Sequence, residues 1–468
     1  VSLCVTSPVK NLIYFLSTIA ILIGFIPLNS CNKMKGFSKE NLTFSVDTIV
    51  FDTVFTTVGS TTKQFKIYNP SSKSIQIDEI ELMGGAQSPF RLNVDGEKGT
   101  FLENMVMEGK DSLFAFVEVT LTANAQNQPL IIEDSVRFRT NGKDQYVKLA
   151  VWGQDAYFHY KDLNEGIWPN DKPHVIYGYA AVDSSKSLTI QAGTKIHLHK
   201  NSILYVYKGA LHVQGMQNNE VVFQGDRLES MYSNVAGQYY GIYFHEALPS
   251  TIDYAILKNG TVGVHLYHED PNNTGYTLEL TNTRIFNTSR YGVFIYSGAK
   301  VKAENCIISR NESHALLVLE GGDFNFNHCN LVGYGNSQVS AVGISNYFYN
   351  AITGNTTVSS INEGVLSNCV IAGNLDYELA LDTLNAPGVN LNFNFTHCLI
   401  RSESTYTDPF YTNIIWNENP LFENTTQGDF LFLQESPLNG AGINTAVFTD
   451  ILGNSRNNPP DIGAIELP

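Results

Sequence analysis

The hydrophobic pattern of this chain repeats. From about Ile252 to Arg401 one short phrase returns, in which a mostly polar residue and a small one precede two or three mainly apolar positions. It reads Asp253-Tyr254-Ala255-Ile256-Leu257, Asn282-Thr283-Arg284-Ile285, Asn305-Cys306-Ile307-Ile308, His328-Cys329-Asn330-Leu331, Asn368-Cys369-Val370-Ile371 and His397-Cys398-Leu399-Ile400. Aligned on the small residue, the spacings are 28, 23, 23, 40 and 29. A period in the twenties predicts stacked supersecondary units, with the longer spacings marking insertions. As coils of a parallel β-helix, about 4.8 Å apart, these units align the four cysteines on successive rungs, where small residues suit a narrow interior. The residue before the small one is Asn or His in every copy but Tyr254. Asn and His are enriched in the left-handed region, so a ladder of them predicts a sharp bend between two strands of one coil.

His beside Cys at 328–329 and 397–398 raises a metal site, since zinc is held by close Cys and His groups that converge on one point. Here the His takes the bend and the Cys points inward, so the pair diverges and no metal is expected. The cysteines can stack without bridges.

Upstream, alternating runs at Thr48–Val54, Gln64–Tyr68, Ser74–Leu82, Leu113–Leu121, Ser135–Thr140 and Tyr146–Val151 are separated by turn signals such as Asn69-Pro70-Ser71-Ser72 and Asn141-Gly142. Strands at this spacing without a helical run predict a β-sandwich over about 41–155. Lys66-Ile67-Tyr68-Asn69, Ser88-Pro89-Phe90-Arg91-Leu92 and Arg139-Thr140-Asn141-Gly142 resemble immunoglobulin-like modules, which serve as spacers or binding modules.

Between the two regions, Ser187-Leu188-Thr189-Ile190-Gln191-Ala192-Gly193, Gly209-Ala210-Leu211-His212-Val213-Gln214-Gly215 and Val221-Val222-Phe223-Gln224-Gly225 end in glycine about every 20 residues, as rungs closed by tight turns do. This pattern, with Gly237-Gln238-Tyr239-Tyr240-Gly241-Ile242, resembles the opening coils of right-handed β-helix proteins of the pectate-lyase-like superfamily. The tail carries Asn419-Pro420-Leu421-Phe422, Ser436-Pro437-Leu438-Asn439-Gly440, Asp450-Ile451-Leu452-Gly453-Asn454 and Pro460-Asp461-Ile462-Gly463, which resemble the end of secreted bacterial β-helix proteins. The nearest resemblance over 170–468 is to uncharacterised Bacteroidota β-helix lipoproteins. The expected fold is therefore all-β, an N-terminal β-sandwich followed by a right-handed parallel β-helix. Asp450, Arg456 and Asp461 are expected to form a charge-paired closure over the open last coil, because an uncovered strand edge invites aggregation.

The N-terminus changes the setting. Lys10, an apolar run from Leu12 to Ile26 and a small-residue end form a secretory signal over 1–31, and the run is short for a membrane span. Leu28-Asn29-Ser30-Cys31 resembles a bacterial lipobox, which implies a lipidated Cys31, a short linker over 32–40 and an outer-membrane lipoprotein facing either side. Asp-Thr and Asp-Ser phrases place Thr48, Thr53, Ser112, Ser135 and Thr383 in triplets that resemble the Bacteroidota O-glycosylation sequon. With 29 basic against 45 acidic residues the net charge is −16, which excludes nucleic acid as a partner for want of a basic surface.

The resemblance includes lyases and galacturonases, yet the galacturonase phrases (Asn-Thr-Asp, Asp-Asp, Gly-His-Gly, Arg-Ile-Lys) and the pectate-lyase Asp-His pairing are absent from the chain. What remains is where coils are interrupted, since loops on a rigid solenoid carry function. Tyr267, His268, Glu269, Asp270 and Tyr276 belong to one loop, Tyr347 and Tyr349 to another, and 376–382 to a third. Exposed Tyr rings can stack on sugars, and carboxylates can take hydroxyls or Ca²⁺; no other cofactor is expected. An alternating strand at 347–349 would instead bury Phe348. The expectation is a glycan-binding or scaffold protein of the cell envelope. The alternatives are a polysaccharide lyase or glycosidase using His268, Glu269, Asp270 or Arg284, and a protein-binding adhesin.

Overall fold

The structure, a computed structural model, describes residues 36–56, 59–122, 130–269, 275–335 and 337–467. Cys31 and Asp270 lie outside the described residues. The chain divides into two compact units, the first comprising the residues up to Phe51, Ser60–Val119 and Glu133–Ala150, and the second holding everything from Val151 on.

The first unit is a β-sandwich of two five-stranded sheets. One sheet runs Thr43–Phe44, Lys63–Tyr68, Ser112–Val119, Phe90–Val94, Glu97–Lys98, and the other Thr48–Phe55, Lys143–Gln154, Leu130–Thr140, Ile75–Leu82, Phe101–Met107. Phe65, Phe90, Phe138, Ile77 and Val117 are fully or almost fully buried at the sandwich's core. The strand Phe101–Met107 escapes the sequence pattern for a physical reason. It pairs only with Ile75–Leu82, and just Met107 of its residues is buried, so no alternation marks it. Of the O-glycosylation candidates, Thr48, Thr53, Ser112 and Ser135 are half-buried within strands, and Thr383 is half-buried just beyond Leu379–Asp382.

The second unit is a right-handed parallel β-helix. Its ladder opens at Tyr157, where Tyr157–Leu163 pairs in parallel with His174–Val182, upstream of the start expected at 170. Most coils contribute three strands, as in Leu278–Thr281, Arg284–Phe286 and Tyr291–Tyr296, giving the unit three faces. A ten-stranded parallel sheet forms the first face and an eighteen-stranded one wraps the second and third. Registered stacking fills the interior with columns such as Leu280, Ala303, Phe326, Leu366 and Phe395, in which large and small residues interleave.

The bend between the first and second faces follows the repeated phrase. Tyr254, Asn282, Asn305, His328, Asn368 and His397 have φ of 44, 49, 53, 52, 51 and 50°. Their side chains link the coils: Asn305 Nδ2 donates to Asn282 Oδ1 at 3.2 Å, and Asn368 Nδ2 pairs with His328 Nε2 at 3.0 Å. Where Tyr254 breaks the ladder, Asp253 Oδ1 accepts from Asn282 Nδ2 at 3.0 Å instead. Cys306, Cys329, Cys369 and Cys398 are buried free thiols on successive coils, each donating to the carbonyl two residues before it at 3.2–3.3 Å.

The glycines that end the first rungs have different causes. Gly193 takes φ +80°, whereas Gly215 is needed for room, since a Cβ there would stand 2.0 Å from the Tyr254 carbonyl oxygen.

The tail does not close the open last coil. Phe393, Phe395, Phe410, Tyr411 and Trp416 cluster there, while the tail runs back along the outside of the second face. Phe430, Phe432, Leu438, Ile451, Ile462 and Ala464 pack on the outward side chains Ile307, Val332, Val370 and Leu399. This explains why apolar residues follow one another in the phrase: both sides of these strands are buried.

The expected charged group holds the tail's own fold. Arg456 Nη1 meets Glu466 Oε2 at 3.2 Å with both side chains almost wholly buried, and Arg456 Nη2 donates to Asn305 Oδ1 at 2.7 Å. Asp450 accepts from the backbone N–H of Leu452, Asn454 and Glu466, and Asp461 from those of Gly440 and Leu467. Their acceptor capacity is thus used by the backbone, a structural role. Removing one member of such a pair leaves an uncompensated buried charge. Arg456→Ala is expected to destabilise the β-helix by about 3–5 kcal/mol, read as a lowered urea midpoint; an unchanged midpoint would contradict this account of the tail.

Candidate functional site

The third face carries the largest concentration of outward aromatic rings on the β-helix. Along Ile203–Tyr207, Gly241–His245, Val262–Tyr267 and Tyr291–Tyr296, the inward positions are aliphatic or Phe244, and the two alternate outward positions are aromatic. Parallel register stacks them into two columns, Tyr205–Tyr243–His265–Phe294 and Tyr207–His245–Tyr267–Tyr296. Ring centroids in the first column are 5.4, 4.3 and 4.6 Å apart, and in the second 5.2, 5.1 and 5.8 Å. All eight rings are half-buried; Tyr243, His265 and Phe294 stack near parallel, whereas Tyr207, His245 and Tyr267 meet edge to face. The columns begin at a hollow of about 480 Å³ lined by Leu163, Tyr179, Ala181, Asp183 and the first two tyrosines, and stop at Leu317 and Leu319.

Two histidines sit inside these columns. Tyr205 OH pairs with His245 Nδ1 at 2.6 Å, and Tyr240 OH with His265 Nδ1 at 2.8 Å. Burial pushes His265 down to about 4, with His245 adding to the effect, so the ring is neutral and stacks as an apolar plate.

The corner after the third face holds both main insertions. His268, Glu269, Ser297-Gly298, Gly322 and Ser359-Ser360 line a notch of about 330 Å³ there. Within it Lys300 Nζ meets Asp323 Oδ2 at 3.2 Å, and Asp323 Oδ1 accepts from the Asn362 and Glu363 N–H groups. Carboxylates border the second column: Glu269 accepts from Tyr267 OH and is the main cause of its raised pKa, whereas Tyr296 is pushed up to about 12 chiefly by burial, with Glu320 assisting. Glu246 binds Lys208 at 2.8 Å, which holds its carboxyl low.

The sequence candidates scatter over this frame. Tyr267 lies in the second column, and His268, buried, and Glu269, exposed, line the notch. Arg284 does not join them. It stands on the second face, half-buried, where Glu220, Asp450 and Tyr254 act on it. Tyr276 donates to both Glu363 carboxylate oxygens at 2.8 and 2.9 Å. Tyr347 and Tyr349 belong to a hairpin, Tyr347–Asn350 with Asn355–Val358, in which Tyr347 OH donates to Asp382 Oδ2 at 2.6 Å. Phe348 is not buried as an inward strand residue; it is 37% exposed and sets its edge against Tyr296.

Glu378, in the third interruption, is buried and accepts from the Ala341 and Leu375 N–H groups. Among the described residues no group of three or more His, Cys, Asp or Glu is placed to hold a metal ion, and Ca²⁺ has no such cluster to enter. Sequence reasoning missed seven of the eight column rings. The signal was present as aromatic residues at i and i+2 in Tyr205/Tyr207, Tyr243/His245, His265/Tyr267 and Phe294/Tyr296, visible once the strands are aligned.

The histidines make stability depend on pH. His174, His197 and His265 are pushed from about 6.5 down to about 4, chiefly by burial. The unfolded chain therefore binds more protons in that window. Their stabilisation is present above about pH 6.5 and lost as pH falls toward 4. Chemical unfolding from pH 7 to 4 is expected to show steadily falling stability; a flat profile would exclude the neutral buried histidines.

Among solved structures, a family 123 glycoside hydrolase from Clostridium perfringens is similar at 8% identity, over 25% of this chain and 26% of its own, with a TM-score of 0.19. The catalytic unit of a thermostable GH87 α-1,3-glucanase from Streptomyces thermodiastaticus is 10% identical over 76% of this chain and 89% of its own, with a TM-score of 0.25. A GH87 α-1,3-glucanase catalytic domain in complex with tetrasaccharides is 9% identical over 80% of this chain and 90% of its own, with a TM-score of 0.20. No curated protein matches the chain. A family model described as a right-handed beta helix region matches residues 177–357, the stretch that carries the aromatic columns.

Proposed function

We propose that this chain is a cell-envelope protein, held to the membrane through a lipidated Cys31, that binds polysaccharide along the third face of its β-helix. The observation that carries the reading is the pair of aromatic columns. Rings repeated at every coil make a continuous apolar strip that suits the C–H faces of successive pyranoses, and Tyr hydroxyls supply partners for sugar hydroxyls. The columns span three coil steps, on the order of 14 Å at about 4.8 Å each, which suits an extended chain rather than a single sugar.

Charge selects the class of chain. Asp183, Glu246, Glu269 and Glu320 border the columns, and the neighbouring Lys208 is engaged by Glu246. A polyanion would meet like charges, so the occupant is an uncharged polysaccharide. The second reading, hydrolysis at the notch, is favoured by the exposed Glu269 beside the columns, since glycoside cleavage uses two carboxyl groups across one bond.

The test is calorimetry and affinity electrophoresis on neutral and uronic-acid polysaccharides, with reducing ends and unsaturated products followed in parallel. Binding to a neutral glycan is expected, with Tyr243→Ala and Tyr267→Ala each weakening it about tenfold, the equivalent of about 1.4 kcal/mol. Silence on every glycan would remove the proposal. Product formation abolished by Glu269→Gln would replace it with the hydrolase.

A further inference from the structure

We propose that Arg310 is the centre of a second, separate binding site that takes the carboxylate of a sugar acid. It stands on the opposite side of the third face from the notch, where the chain leaves the second face, and does not rest on the aromatic columns. Registered pairing of Lys258, Phe286 and Ser309 puts Asn259, Asn287 and Arg310 at one position on successive coils. All three are left-handed, with φ of 68, 57 and 52°. Asn suits that conformation, and Asn287 Nδ2 donates to Asn259 Oδ1 at 2.7 Å, building a short ladder. Arg310 ends the ladder with a side chain the backbone does not favour.

Its surroundings leave that guanidinium unused. It lies over the Phe286 ring, 4.8 Å from the centroid, which fixes its plane. Among the described residues the guanidinium makes one hydrogen bond, from Nη1 to the Thr426 carbonyl and long at 3.5 Å, and Nε is buried without an acceptor. No carboxylate offsets the burial that lowers its pKa, in a chain with 45 acidic and 29 basic residues.

Arg310, Tyr334, Gly335, Asn374, Thr425 and Thr426 line a cavity of about 310 Å³. That volume is at the small end of ligand pockets. With Nε buried, the two Nη groups are the edge of the guanidinium that can meet a carboxylate bidentately. Asn374 Nδ2 donates to the Gly335 carbonyl at 3.1 Å and the Thr426 hydroxyl to Asn424 Oδ1 at 2.7 Å, which leaves Asn374 Oδ1 and the Thr426 hydroxyl oxygen as acceptors for the ring hydroxyls of a monosaccharide. Among the described residues no acidic one lines the cavity to oppose an anion.

The test uses the full chain with glucuronate and galacturonate as probes, and glucose, acetate and sulfate as controls, followed by ligand-observed NMR and calorimetry. At least one uronate is expected to bind saturably, with every control about tenfold weaker or more. Arg310→Asn restores the residue the column uses elsewhere, so binding should vanish while Tm holds. Asn374→Ala should weaken binding without changing Tm, and remains informative if the first variant fails to fold. Absence of uronate binding, its survival in Arg310→Asn, undiminished binding in Asn374→Ala, or controls binding as tightly as the uronates would each overturn the proposal.

Discussion

Coil-to-coil register is the constraint on which the rest of the β-helix depends. Each backbone hydrogen bond to the coil below fixes a residue directly over its counterpart, so whatever one coil presents is repeated by the next. Inside, this demands complementary sizes, met by columns such as Leu280, Ala303 and Phe326. At the bend it demands a left-handed residue in every coil, met by Asn and His with φ near 50°. The backbone N–H groups at the bend still bond to the next coil, Asn282 to the Glu304 carbonyl and Asn305 to that of Asn327, while the side chains bond to one another.

The same repetition acts outward, with different results on two faces. On the second face it makes a continuous apolar surface, which the tail covers. On the third it makes two columns of rings, and no segment among the described residues covers them as the tail covers its neighbour. Half-buried rings packed ring on ring lose little conformational freedom when something binds against them, because adjacent coils already hold their planes. A rigid, preorganised surface of this kind lowers the entropic cost of holding a long flat ligand.

Much of this was legible in the chain. The phrase around Asn282, Asn305, His328, Asn368 and His397 carried the fold because one physical demand, a left-handed bend, selects very few residue types. Most sandwich strands with one buried side were equally visible, although Phe90–Val94 entered only through a resemblance phrase, and Phe101–Met107, mostly exposed, did not show. Loops drew attention to Tyr267, His268 and Glu269, which do border one corner, yet Arg284 had no reason in sequence to be excluded. Its place on another face follows only from the coil's path. The tail's motifs pointed correctly to structure, but its destination depends on which outward residues are apolar several coils away.

The backward run of the tail gives the molecule an unusual order of assembly. Gln217 hydrogen-bonds the Leu452 carbonyl across 235 residues, and Asn305 meets Arg456 across 151. Coils can stack one upon another as the chain emerges, since each pairs with a close neighbour in sequence. The second face, however, keeps Ile307, Val332, Val370 and Leu399 in water until the last fifty or so residues arrive, so contacts of long sequence separation come last. The tail is thus a clasp: a chain interrupted before it would present a sticky stripe along its coils, an apolar patch of the kind that invites association.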